Sequence, residues 1–163
     1  MAIEWSEIVD PGEDHLSGPA VTSSQIDQAE RKLGFALPDA YREMLEYSNG
    51  AVLSKKFVRT PFATSWSETG FAIEGFLGIG YEDGIDGEFG SDYLIAEWGY
   101  PNIGLVVGQC PSAGHDVVML DYSDVGADSR QPSIAYVDED RIPRRVASSF
   151  EEFIELLEEE PEE

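Results

Sequence analysis

The hydrophobic pattern changes its period near Gly50, and this change constrains the fold more than any other feature of the chain. Before Gly50, apolar residues recur at intervals of three and four, which is typical of amphipathic helices. After it, they occur in short runs rich in branched and aromatic side chains, bounded by Gly, Pro, Asn or Asp, as in strands joined by turns. Another helical pattern closes the chain. This order favours the α+β class, with helices packed on one face of a sheet.

Residues 23–50 predict a helical hairpin. Ser23 or Ser24 can cap the first helix, and Gly34 suits its left-handed C-terminal stop. Pro38 suits the first turn of the second helix, where its missing N–H costs nothing. The expected apolar stripes are Ile26, Ala29 and Leu33 in the first helix and Tyr41, Met44 and Leu45 in the second.

Five apolar runs predict a largely antiparallel, mixed sheet of about five to six strands. The runs span residues 57–59, 71–79, 103–107, 116–122 and 133–138. A short helix is expected over residues 91–98, capped by Ser91 or Asp92, and a last helix over residues 148–157, capped by Ser148 or Ser149.

The length of the chain sets its domain organisation. Its 163 residues suffice for one hydrophobic core and are too few for two, so residues 1–163 are expected to form a single domain. Residues 1–21 have no clear period and are interpreted as an irregular lead-in. Residues 158–163 are expected to form a solvated acidic tail.

The charge is strongly one-sided, with 33 acidic against 10 basic residues and a formal net charge of −23. Between Thr60 and Ser129 there is no Lys or Arg. Such a surface should repel nucleic acid and anionic membranes, because both are polyanions, and should attract basic proteins. Solubility or adaptation to high salt would also account for this composition, so charge alone does not separate these readings.

The location predicted from the sequence is the cytoplasm. One cysteine allows no intrachain disulfide, so nothing indicates an oxidising compartment. The first residues, MAIEWSE, lack the basic and apolar regions of a secretory signal. No apolar run approaches the roughly 18 residues that a membrane helix requires.

The residues that could perform chemistry give no convincing active site. Cys110 and His115 lie five positions apart, but the segment between them is interpreted as a turn between strands. Two histidines, His15 and His115, and a single cysteine are too few for a zinc site. We therefore predict no catalytic residue, no metal site and no cofactor.

The stretch EDGIDGEFGSD, residues 82–92, concentrates acid within a glycine-rich segment. Its spacing does not match an EF-hand, although an irregular calcium loop stays open as an alternative. We interpret it as a connection from the strand ending near Tyr81 into the helix near Ser91. Its carboxylates are the predicted partner-binding residues, unless the loop is merely solvated. They are Glu82, Asp83, Asp86, Glu88 and Asp92.

Residues 30–50, ERKLGFALPDAYREMLEYSNG, resemble the opening of the SUKH superfamily, which includes the Smi/Knr-like proteins. That opening has a helix, a Leu-Gly-apolar-x-Leu-Pro stretch and a Tyr-bearing helix that closes on Asn-Gly. The matching residues are Leu33, Gly34, Leu37, Pro38, Tyr41, Leu45, Asn49 and Gly50. Later segments resemble the family's later motifs in the same order; they are residues 98–107, 114–121, 132–138 and 147–153.

This resemblance implies a single α+β domain with a non-enzymatic role. Bacterial members are largely immunity proteins that bind and neutralise toxin domains, often nucleases, and fungal relatives regulate cell-wall assembly. The expected partner is therefore a cognate toxin that is basic, and neither nucleic acid nor membrane is expected to bind. The alternatives are a regulatory or scaffold module and a calcium-binding acidic domain.

Overall fold

A computed structural model describes residues 2–161 of the chain. Met1 and the last two residues of the predicted acidic tail, Glu162 and Glu163, lie outside the described residues. The helices are α1 (Trp5–Ile8), α2 (Ser23–Leu33), α3 (Asp39–Tyr47), α4 (Ser91–Trp98) and α5 (Phe150–Leu156). The strands are β1 (Ala51–Val52), β2 (Phe57–Arg59), β3 (Gly70–Ala72), β4 (Gly75–Phe76), β5 (Gly104–Gln109), β6 (Val117–Asp121), β7 (Ser133–Val137), β8 (Pro143–Ala147) and β9 (Leu157–Glu158).

The strands form two sheets in which every described pairing is antiparallel. The larger sheet has six strands in the order β1-β4-β5-β6-β7-β8. The smaller sheet has three strands in the order β3-β2-β9. This architecture confirms the predicted α+β class and its mostly antiparallel sheet.

The predicted strand over residues 71–79 is wrong in one respect, because the chain changes sheets inside it. The N–H of Ile73 donates to the carbonyl of Lys56, beside the smaller sheet, at 2.9 Å. The next N–H, of Glu74, donates to the carbonyl of Gln109 in β5 at 2.8 Å. One apolar run therefore supplies β3 to the smaller sheet and β4 to the larger one.

Three strands were not predicted, and the first of them is the two-residue β1, which pairs Ala51 with Phe76. Strand β8 is an edge strand that carries Arg144 and Arg145 and alternates between exposed and half-buried positions, so it lacks an apolar run. Strand β9 pairs Glu158 with Phe57, so the predicted solvated tail begins later than residue 158. Polar residues are common on edge strands, where one side of the backbone faces solvent.

The helix ends partly follow the predicted caps. Gly34 adopts the predicted left-handed conformation, with φ of 80°, and the Ser149 side chain accepts from the N–H of Glu152. The cap of α2 is Thr22, not Ser23 or Ser24, because Thr22 and Gln25 bond each other reciprocally in a capping box.

The lead-in is more ordered than predicted. It contains the short helix α1, and Val9 forms an antiparallel bridge with Leu53. Trp5 and Val9 are buried in the main core. The segment escaped prediction because its few apolar residues show neither a helical nor a strand period.

Both faces of the larger sheet are covered. On one face, the main core joins α2, α3 and α5 to the sheet, with ring contacts among Tyr41, Phe76 and Phe150 at 4.9–6.0 Å. On the other face, Val106 belongs to a smaller apolar cluster against which Leu94 of α4 packs. The helices therefore do not all lie on one face as the sequence order suggested, and α4 covers the second face alone among the described helices.

Candidate protein-binding surface

The acidic loop, residues 81–92, is a series of tight turns built on glycines. The N–H groups of Gly84, Gly87 and Gly90 each donate to the carbonyl three residues earlier, at 3.0–3.1 Å. A Cβ at Gly87 would lie 2.2 Å from the carbonyl oxygen of Tyr81, a distance that real Cβ atoms do not adopt. Glycine is therefore required here because backbone segments approach closely.

The acidic loop is also anchored to the rest of the molecule. Ile85 is buried in the main core, and its N–H donates to the carbonyl of Gly78 at 2.7 Å. At its end, the hydroxyl of Ser91 accepts from the N–H of Val106 in β5 at 2.8 Å. Ser91 thus attaches α4 to the sheet. The prediction that Ser91 caps this helix is wrong, because the N-cap position is Gly90.

The five predicted carboxylates do not all serve one surface. The exposed ones are Glu82, Asp83, Glu88 and Asp92. Asp86 is half-buried: its carboxylate accepts from the N–H of Gly80 at 2.9 Å, and its carbonyl accepts from Lys32 Nζ at 2.8 Å. Asp86 lines a cavity along α2, whereas Asp83 lines a different cavity beside α4.

The cavity beside Asp83, which we term the α4 groove, has a volume of about 430 Å³. It lies between the acidic loop, α4, the lead-in and the turn from β5 to β6. Its lining includes Asp83, Phe89, Leu94, Trp98, Gly114 and Asp116. Volumes of this size are typical of pockets that accommodate a ligand or a protein side chain.

Two large apolar side chains are exposed at this groove. Phe89 is 41% exposed and Trp98 is 37% exposed. The Trp98 ring lies over Gly114, where an added Cβ would come within 3.4 Å of the indole carbons. The indole therefore packs against the backbone of Gly114 and forms one wall of the groove.

Asp116 is a fixed negative charge at this groove, with only 1% of the residue exposed. Its carboxylate accepts from the hydroxyl of Tyr136 at 2.5 Å, from Trp66 Nε1 at 2.9 Å and from the hydroxyl of Ser112. Burial and the bond to Asp116 raise the pKa of Tyr136 well above its usual range. This network holds the β5–β6 turn and the loop that bears Trp66 in place.

The pair Cys110 and His115 has none of the features of an activated nucleophile. Cys110 is buried, and burial, reinforced by Asp116, raises the pKa of its thiol well above the usual value. A reactive cysteine needs the opposite shift, toward the thiolate. His115 instead packs edge-on against Trp98, with ring centroids 6.1 Å apart.

Within residues 2–161, no three His, Cys, Asp or Glu side chains come together in a way that could hold a metal ion. No helix within the same residues combines the length and the apolar character that crossing a bilayer requires.

Comparison with known families identifies the chain. The model of the SMI1/KNR4 family (SUKH-1) matches residues 20–156, which is most of the sequence. The chain belongs to the SMI1/KNR4 family. The resemblance predicted from the sequence is thereby confirmed. No curated protein matches the chain at a significant level.

Proteins of the SMI1/KNR4 family are often immunity proteins, and the family also includes cell-wall regulators. In this member, the motif residues stabilise the fold. The hydroxyl of Tyr41 donates to the carbonyl of Leu77 at 2.6 Å, and the Tyr41 ring packs on Phe150. Because these side chains are buried, they are not available to a partner, unlike the acidic loop and the α4 groove.

The sequence predicts the acidic loop of this SMI1/KNR4-family chain but not the groove beside it. In the sequence, Phe89 and Trp98 have the pattern of ordinary members of a loop and a helix. The available signal was their position inside the region from Thr60 to Ser129, where exposed carboxylates have no Lys or Arg nearby in sequence. The role of the five carboxylates in binding stays a prediction.

Proposed function

We propose that this chain is an immunity-type protein that neutralises a basic toxin by direct, non-enzymatic binding, with the acidic loop and the α4 groove as the contact surface. One observation carries the proposal: the exposed carboxylate of Asp83 lines the same groove as the exposed rings of Phe89 and Trp98, on a loop that is anchored to the rest of the molecule. Aromatic side chains are enriched at the centres of protein interfaces, and rim charges steer partners. Family membership supports the same role.

The electrostatics favour a partner that itself binds a polyanion. A toxin that cleaves nucleic acid needs a basic surface to hold phosphates. Carboxylates that face such a surface accelerate the encounter and block the site to nucleic acid. Two exposed acids of the loop, Asp83 and Glu88, are suited to this because neither forms an ion pair within residues 2–161.

Co-expression tests the proposal. The product of the adjacent reading frame is expressed in a host with and without this chain, and growth is measured together with complex formation by size-exclusion chromatography. We expect a toxic neighbour whose toxicity is abolished through a stable complex. A neighbour that is harmless, or whose toxicity is unaffected, would contradict the proposal. Capture of several unrelated host proteins would favour a regulatory role instead.

Charge reversal then tests the contact surface. The double variant Asp83→Lys/Glu88→Lys is compared with Glu43→Lys/Glu46→Lys, which makes the same change in net charge on the exposed face of α3. We expect the loop variant to lower the association rate at least about ten-fold at low salt and to flatten its salt dependence. Equal effects of the two variants would assign the charge a general role and remove the loop from the interface.

A further inference from the structure

The α4 groove has a composition that selects one kind of side chain. Two aromatic rings, Phe89 and Trp98, stand beside the exposed carboxylate of Asp83. Asp116 adds a second negative charge deeper in the groove. A side chain with a cation on an apolar stem complements both the carboxylates and the aromatic rings. Its charge faces the carboxylates and the ring faces, while its methylenes contact the apolar wall.

We infer that the α4 groove is an anchor pocket for one arginine side chain of the protein partner, stacked between Phe89 and Trp98 and paired with Asp83. This inference rests on the proposed function and names the chemistry of its contact. Arginine is favoured over lysine because a planar guanidinium stacks on aromatic rings and pairs bidentately with a carboxylate. Arginine is also enriched among the residues that dominate binding energy at interfaces.

Two basic side chains near the groove, Arg141 and His15, are already engaged within the molecule. Arg141 stacks 4.0 Å from the centre of the Tyr100 ring and donates to the carbonyls of Trp98 and His115. At the other end of the groove, His15 lies 3.2 Å from a carboxylate oxygen of Glu74. Arg141 thus supports the backbone behind Trp98 and leaves the exposed carboxylate of Asp83 for an incoming charge.

A second copy of this chain is a poor occupant of the groove. Each copy carries a net charge of −23, and two such molecules repel each other at close range. An arginine on a basic protein brings the opposite charge. Charge complementarity therefore selects a basic partner and not self-association.

The test uses the full chain, labelled with ¹⁵N, and short acetylated Gly-Arg-Gly amide peptides at low salt. We expect the arginine peptide to shift the Trp98 indole N–H and the amides of Asp83 and Phe89. The lysine peptide should shift them less, and the citrulline peptide, which has nearly the same shape without the charge, should leave them unchanged. The indole of Trp5, which is buried in the main core outside the groove, serves as the internal reference.

Variants sharpen the test. Asp83→Asn and Phe89→Ser change exposed side chains, so folding should be retained. Each variant should lower the affinity for the arginine peptide by about three- to ten-fold. Glu43→Gln changes a residue of α3 outside the groove and should leave the affinity for the arginine peptide unchanged. Shifts that are equal for arginine and citrulline, or spread evenly over all acidic surfaces, would overturn the inference.

The pocket and the proposed function can fail separately. If a toxin is neutralised but its affinity is insensitive to Asp83→Asn and Phe89→Ser, the arginine pocket is wrong and the function stands. If the arginine peptide binds as described while no toxin is neutralised, the pocket stands and the proposed function is wrong.

Discussion

The side-chain amide of Asn49 pairs with both backbone groups of Ile79. Its Oδ1 accepts from the N–H of Ile79 at 2.8 Å, and its Nδ2 donates to the carbonyl of Ile79 at 2.8 Å. The same Nδ2 donates to the carbonyl of Pro19 at 2.8 Å. A side chain that is 97% shielded from solvent thus joins the end of α3, the exit of β4 and the lead-in. This explains physically why an Asn follows the second helix of the hairpin.

Asn49→Ala should lower the free energy of unfolding by about 2–4 kcal/mol, because it leaves the backbone groups of Ile79 without partners in a buried place. Urea unfolding measures the change. Asn102→Ala, at an exposed position, is the control and should stay within about 0.5 kcal/mol of the parent chain. Equal stabilities of the two variants would contradict a structural role for Asn49.

A second effect on stability is expected at Glu30, because its carboxylate forms hydrogen bonds with three segments of the chain. It accepts from the N–H of Leu37 and from the guanidinium groups of Arg42 and Arg130, each at 2.7 Å, and its side chain is only 11% exposed. Glu30→Gln should cost about 1–3 kcal/mol, since it leaves Arg130 without its charged partner and leaves Arg42 with Asp27 alone. Glu43→Gln, exposed on α3, is the matched control in the same unfolding measurement.

The helices could be predicted because each of the longer ones has a single buried face. In α2, Ile26 and Ala29 are buried while their neighbours are exposed, so the period is visible in the sequence. Strand β8 has no comparable signal, because Arg144 and Arg145 occupy an edge. The change of sheets at Ile73 and Glu74 was also invisible, since hydrophobicity does not report which backbone partner an N–H selects.

The acidic loop could be predicted from composition, but the α4 groove could not. The groove walls come from segments that are distant in sequence, represented by Leu16, Phe89, Trp98 and Asp116. Their approach depends on the packing of α4 on the second face of the sheet, which no local pattern encodes. Asp86 shows the same limit: its sequence environment matches that of Asp83, yet its carboxylate is bound to Gly80.

Gly87→Ala tests whether the shape of the acidic loop matters apart from its charge. A Cβ at Gly87 would lie 2.2 Å from the carbonyl of Tyr81 and 2.3 Å from that of Glu82, so the turns must shift. We expect a loss of about 1–3 kcal/mol in stability, as for other overpacked sites, and weaker toxin binding at unchanged net charge. Gly126, by contrast, has space for a side chain: its φ is 89°, and no atom lies within 4 Å of an added Cβ.

Gly126→Ala is therefore the control for Gly87→Ala. It should cost only the strain of a left-handed alanine, about 1–2 kcal/mol, and should leave toxin binding unchanged. Affinity is measured by isothermal titration calorimetry and stability by urea unfolding. If Gly87→Ala binds the toxin as tightly as Gly126→Ala does, the shape of the loop is not part of the recognition.

Stability should fall steeply at alkaline pH, because burial holds several phenol protons on the native chain. Burial raises the pKa values of Tyr41, Tyr100, Tyr122 and Tyr136, and of the Cys110 thiol. The unfolded chain releases these protons from about pH 8.5 for the thiol and about pH 10 for the phenols, whereas the native chain retains them. The unfolded state then binds fewer protons, so the free energy of unfolding decreases as the pH rises.

Urea unfolding at a series of pH values from about 8 to about 11.5 measures this slope. Tyr136→Phe should reduce the slope above about pH 10, because one phenol that the native state keeps protonated is removed. Tyr47→Phe, at a position that is 55% exposed, is the control for losing a hydroxyl. A free energy of unfolding that stays constant over this range would show that the native chain does not retain the protons of these buried phenols and of the thiol.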